Sequence, residues 1–143
     1  MDAVAAPAET GFDVEFDEQE QASPLDPLRV ITWVDEGRAM AEAGGDLDIY
    51  TSDQLAAALT DIQGRAARPV LVLVLTDLAF CDSSGLGVMV GAVKRAKVRG
   101  GAVALVETPD YLRRTLRVTG LDVLLPSFET LEDAWRHLDA VAP

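Results

Sequence analysis

The chain has 143 residues, enough for one domain around one hydrophobic core, and its 24 acidic against 12 basic side chains give a formal net charge of −12. That balance argues against direct binding to nucleic acid or to an anionic membrane surface, since both need a basic footprint that releases counterions. No run approaches the ~20 apolar residues of a membrane span, and the single cysteine, Cys81, allows no internal disulfide, so a cytoplasmic location is expected.

Residues 1–27 hold eight of the 24 acids and no Lys or Arg, together with Pro7, Pro24 and Pro27. With few large apolar groups to offset its ordering entropy, this stretch reads as a disordered acidic extension of a domain spanning residues 28–143. The other reading is that Phe12, Val14 and Phe16, alternating with Asp13 and Glu15, add a strand or cover a surface of the domain. If the surface covered is a docking face, removal of residues 1–27 strengthens partner binding.

Leu28 to Val34 alternates in the manner of a strand and ends in the turn Asp35-Glu36-Gly37. Arg38 to Ala43 folds back as a weaker strand, which Gly44-Gly45 breaks. Thr51, with Gln54 three residues on, forms a capping-box pattern ahead of a helix carrying Leu55, Ala58, Leu59 and Ile62 and ended by Gly64. Val70 to Leu75 is apolar at every position and too short for an ordinary helix, so it belongs in the middle of a sheet covered on both faces. A second helix from Leu86 to Val98 gathers Met89, Val90, Val93 and Ala96 on one face and Lys94, Arg95, Lys97 and Arg99 near its end, where cations suit the dipole. Ala102 to Val106 is the next strand. Thr108-Pro109 then opens a short helix bearing Leu112 and Leu116 and ending at Gly120. Val123-Leu124-Leu125 reads as a brief strand closed by Pro126, and a last helix from near Thr130 aligns Leu131, Ala134, Trp135, Leu138 and Val141. The succession predicts an α/β fold with a mixed, mostly parallel sheet of about four or five strands and about four helices.

The candidate site is Phe80-Cys81-Asp82-Ser83-Ser84-Gly85-Leu86-Gly87, where an apolar run passes through a polar turn into a helix. A serine nucleophile there needs a base, yet the only histidine, His137, falls off the core stripe of the last helix, and no Gly-x-Ser-x-Gly elbow is present. Asp46, Asp48 and Asp82 could pair as acid and base or hold a divalent metal if their strands are neighbours, although turns and caps use Asp equally well. Gly85, Gly87 and Gly91 with Glu107 after the next strand suggest a dinucleotide site, but the glycine spacing departs from that fingerprint. Two readings of the serines remain. Ser83 or Ser84 caps the helix, or one of them accepts a phosphate that the helix N-terminus tolerates. Cys81 reads as an inert buried thiol.

The stretch Asp82-Ser83-Ser84-Gly85-Leu86-Gly87-Val88, preceded by Leu78-Ala79-Phe80-Cys81, resembles the phosphorylation-site signature of STAS-domain anti-sigma factor antagonists. Gly45-Asp46-Leu47-Asp48 with Thr51 is similar to that family's Gly-Glu-Leu-Asp-x-x-Thr segment, with Asp46 in place of the usual Glu. Thr119-Gly120-Leu121 with Phe128 is similar to its C-terminal Thr-Gly-Leu element. The likeness runs from about Leu28 to Ala140, so the acidic extension lies outside it.

The resemblance implies a STAS-like single domain that is not itself an enzyme and needs no cofactor or metal. It would bind an anti-sigma factor that is also a serine kinase, so releasing a sigma factor. Phosphorylation by that kinase would end binding, and a serine phosphatase would restore it. By the same likeness Ser83 is the phosphoacceptor, with Ser84 as the alternative, and Asp48, Thr51, Asp82, Ser84, Gly85 and Leu86 form the partner-binding set. A homodimer is a further assembly to consider. The competing function is a STAS scaffold, or a small-ligand or nucleotide-binding regulatory module, that is never phosphorylated.

Overall fold

A computed structural model describes residues 26–143, and the expectations for disorder, or for a strand through Phe12, Val14 and Phe16, fall outside these described residues. Six strands and four α-helices follow in the order β1 (Leu28–Asp35), β2 (Arg38–Leu47), α1 (Ser52–Gln63), β3 (Val70–Val74), β4 (Leu78–Cys81), α2 (Ser83–Val98), β5 (Ala102–Val106), α3 (Asp110–Thr119), β6 (Ser127–Phe128) and α4 (Leu131–Val141). The sheet runs β1-β2-β3-β5-β6, with β4 paired to β2 beside this path. Only β1 and β2 are antiparallel; the remaining pairs are parallel. The α/β class and the mixed, mostly parallel sheet are as expected, with one strand more than the sequence suggested.

The apolar run of β3 sends its side chains both ways. Leu71 and Leu73 join Leu55, Leu59 and Ile62 of α1, Met89, Val93 and Ala96 of α2, and Leu112 and Leu116 of α3 in one core. Val72 and Val74 pack with Trp33, Met40, Ala104, Val106 and the α4 residues Ala134, Trp135 and Leu138 on the opposite face. Three helices therefore cover one side and a single helix the other. Alongside α4 the second face keeps a groove of about 260 Å³ floored by Met40, Val74, Val106 and Leu131, with Glu42 on its wall.

Three local expectations change. Gly44-Gly45 does not break β2. The strand runs on to Leu47, pairing with β3 through Arg38–Glu42 and with β4 through Gly45–Leu47, with a bulge between Gly45 and Asp46. Gly45 has φ +98°, and a Cβ there would lie 2.2 Å from the Pro27 carbonyl oxygen, so the residue passes the crossing that a side chain would block. Val123 to Leu125 is not a strand. Leu121–Val123 forms a 3₁₀ turn continuing from Gly120, and the pairing residues are Ser127 and Phe128 beyond Pro126. Thr51 makes no side-chain cap to α1, and Gln54 donates to the Leu28 carbonyl (3.2 Å) rather than back to the helix start.

Candidate functional site

The parallel pairing of β2 with β4 sets Leu47 beside Cys81, so Asp48 and Asp82 each stand one residue past a paired position at the same end of the sheet. The Asp82 amide donates to the Leu47 carbonyl (3.1 Å) and ties the two strand ends together. Asp46, Asp48 and Asp82 thus stand at one end of the sheet, as the neighbouring of their strands requires.

The head of α2 is capped by Asp82, which takes extended backbone angles and accepts from the amides of Ser84 (2.9 Å) and Gly85 (3.2 Å). Its negative charge also suits the positive end of the helix. Among the described residues neither serine hydroxyl has a hydrogen-bond partner. Ser83 is exposed at the first helical position, and Ser84 is partly buried beside it. Capping by a serine, the bland reading of this motif, is therefore not what the structure shows.

Beneath the serines the packing is close. Gly85 is buried, and a Cβ on it would meet Leu47 Cγ at 2.6 Å and Cys81 Sγ at 2.8 Å, so the first turn of α2 rests directly on the ends of β2 and β4. The Cys81 thiol is pushed up to about 12, first by burial and then by the charge of Asp82, so it stays protonated near neutrality. Gly87 contrasts with Gly85. It is exposed, four residues after Ser83 on the same side of the helix, and a Cβ there would meet nothing within 4 Å. Leu86 is half-buried against the core.

Asp48 organises the loop before α1. Its Oδ1 accepts from the amides of Tyr50 (2.9 Å) and Thr51 (3.1 Å), closing an Asx turn just ahead of α1. Thr51 is 6% exposed; its hydroxyl donates to the Asp46 carbonyl (2.8 Å) and accepts from the Asp48 amide (2.9 Å). This lattice presents two apolar side chains outward, Ile49 at 67% and Tyr50 at 91% exposed, and Phe80, paired in register with Asp46, adds a third at 49%. Three large apolar side chains thus stand exposed beside Asp46 and Asp48 at this end of the sheet. Phe80 lies inside the stretch singled out from sequence, whereas Ile49 and Tyr50 were missed, their only signal being an Ile-Tyr pair in a strand-to-helix loop.

Other groups lie elsewhere. His137 sits on α4 against Phe128, ring centroids 5.0 Å apart, in the layer across the sheet from α2. Glu107, the acid of the dinucleotide reading, accepts from Thr76 Oγ1 (2.5 Å) and lines the groove on that same far face. Among the described residues no three His, Cys, Asp or Glu side chains are grouped to hold a metal, and no helix is long and apolar enough to cross a membrane. Tyr111 of α3 donates to the Leu78 carbonyl (2.9 Å) and fastens that helix to β4.

Known proteins align with this arrangement. An anti-sigma F factor antagonist of Paenibacillus polymyxa is 31% identical over 106 residues, covering 74% of this chain and 91% of the relative. A crystal structure of an anti-sigma factor antagonist from Mycobacterium paratuberculosis superposes with a TM-score of 0.70 at 24% identity, covering 82% of this chain and 99% of that one. The Bacillus cell fate determinant SpoIIAA in its phosphorylated form superposes at 0.59 with 21% identity, covering 77% of this chain and 97% of its own. The STAS domain family matches residues 33–134, from the middle of β1 into α4. With the paired strand ends and the capped serine turn inside that span, the chain belongs to the STAS domain family.

Proposed function

We propose that this protein is an anti-sigma factor antagonist that binds an anti-sigma factor with serine kinase activity while unphosphorylated, and is switched off when that kinase phosphorylates Ser83. The observation that carries the reading is the division of labour at the head of α2: Asp82 caps the helix, and the exposed hydroxyl of Ser83 has no hydrogen-bond partner among the described residues. Relatives named as anti-sigma factor antagonists support the partner class, and a solved relative in phosphorylated form supports the switch.

The chemistry follows from position. A phosphate on Ser83 brings about −1.5 to −2 charge units to a helix N-terminus that favours anions, so the fold need not change. The same charge arrives beside Asp82 and Asp48, among Ile49, Tyr50 and Phe80, where a docked surface must be desolvated. Binding is lost without unfolding. In this scheme Ile49, Tyr50, Phe80 and Leu86 give apolar contact, Asp48, Asp82 and Ser84 shape the polar edge, and the buried Thr51 and Gly85 hold the surface in place. A serine phosphatase reverses the switch.

Incubating the full chain with its cognate anti-sigma kinase and ATP, followed by peptide mapping, tests the assignment. Phosphate on Ser83, absent in Ser83→Ala, is the expected result. Phosphate on Ser84 moves the acceptor by one residue, and none at all favours a STAS scaffold or a small-ligand or nucleotide-binding module.

A further inference from the structure

Across the sheet from α2, the groove beside α4 combines an apolar floor with carboxylates on two sides. Glu42, Val74, Val106 and Phe128 are paired in register from β2 through β3 and β5 to β6, so their side chains share the face that carries α4. Glu107 comes one residue after Val106 and in a regular strand would face the other way. Its φ of +54° turns the chain instead, and its carboxylate accepts from Thr76 Oγ1 (2.5 Å) and lines the same groove. A left-handed backbone at a residue other than glycine is a strained arrangement of the kind that clusters at ligand clamps. Glu129, one residue past Phe128, completes the rim. One carboxylate therefore stands on the β2 side and two on the β5 and β6 side, with Val74 and Val106 between them. Strand spacings of ~4.8 Å place β2 and β5 about 10 Å apart. Among the described residues no Lys or Arg lines the groove. The cations around it face other acids: the Arg29 guanidinium lies over Gly44 beside Asp77, and Arg113, beyond Glu107 and Glu129, pairs with Asp110. Glu42 has neither a hydrogen bond nor an ion pair among the described residues.

We propose that this groove binds a small aliphatic diamine, one ammonium held by Glu107 and Glu129, the other by Glu42, and the methylene chain laid over Val74 and Val106. Size, charge and shape each select that chemistry. The cavity, about 260 Å³, is smaller than the ~300–1,000 Å³ of ordinary ligand pockets, so its occupant is small. Three carboxylates repel a phosphate or a carboxylic acid, which turns the groove away from nucleotides. An ammonium carries three donors and no acceptor, and so matches carboxylates and leaves none of them short of a counter-charge. Between the two acidic sides only apolar groups meet the ligand, and a methylene chain gains by covering them. The groove and Ser83 lie on different faces of the sheet, so this binding is separate from the phosphorylation switch.

Titration of the full chain with cadaverine, followed by backbone amide shifts and by calorimetry, tests this. Salt at about 0.15 M, where the Debye length is about 8 Å, separates a seated ligand from a diffuse cloud of cations around a chain of net charge −12. The expected result is saturable one-to-one binding with shifts centred on Glu42, Val74, Val106 and Glu107. Pentylamine, with one ammonium on the same carbon chain, should bind at least about tenfold more weakly, and glutarate not at all. Glu42→Gln with Glu107→Gln, confirmed folded by circular dichroism, should lose at least about tenfold in affinity, whereas Asp122→Asn should lose none. Shifts that do not saturate or that centre on Asp48 and Asp82, equal binding by the double variant or by pentylamine, or no binding at all, overturn the proposal. No partner or kinase enters this measurement, so it stands or falls apart from the assignment of Ser83.

Discussion

A serine that caps a helix commits its hydroxyl to a backbone amide, and a kinase acting on it would have to break that bond. At the head of α2 the amides of Ser84 and Gly85 go to Asp82 instead, and Ser83 is left exposed. The assignment predicts a contrast in stability. Asp82→Ala should cost about 0.5–2 kcal/mol in urea unfolding through loss of the cap, whereas Ser83→Ala should change it by less than about 0.5 kcal/mol; equal losses would return the cap to the serine. The two glycines that follow should also part company. Gly85→Ala drives a Cβ into Leu47 and Cys81 and should destabilise by about 1–3 kcal/mol. Gly87→Ala enters open space and should stabilise the helix by up to about 1 kcal/mol.

At the scale of elements, what sequence reveals depends on whether side chains or pairing define the element. The period of β1, the apolar length of β3 and β5, and the stripes of α1, α2, α3 and α4 are set by burial, and burial is written in residue type. β4 and β6 are different. Leu78-Ala79-Phe80-Cys81 is buried only at its first position, and β6 is two residues long, so each is a strand only by virtue of its neighbour. Gly44-Gly45 carried the signal of a break but serves a bulge, because the close approach of Pro27 and the turn of β2 toward β4 are tertiary facts. The site shows the same division. Asp48, Asp82 and the serines were legible as a motif, while Ile49, Tyr50 and Phe80 become a surface only when β2 and β4 lie side by side.

Across the whole molecule charge is distributed by face and by edge, and each has a measurable consequence. On the far face of the sheet Glu42 is held above its ordinary value of 4.5, chiefly by burial and then by Asp77. A carboxyl raised on folding favours the native state while it keeps its proton, so its contribution is full at pH below 4.5 and is lost as pH climbs through the folded value. Glu42→Gln should therefore raise the melting temperature at neutral pH and leave it nearly unchanged at pH 4; a uniform shift at both would remove Glu42 from the account. At the opposite edge the central claim is that negative charge on Ser83 ends binding without disturbing the fold. Titrating the cognate anti-sigma factor with wild type, Ser83→Ala and Ser83→Asp, each confirmed folded by circular dichroism, tests it most directly. The account predicts near-equal affinity for wild type and Ser83→Ala, and for Ser83→Asp a loss of at least about tenfold, or about 1.4 kcal/mol. Equal affinity for all three would contradict it.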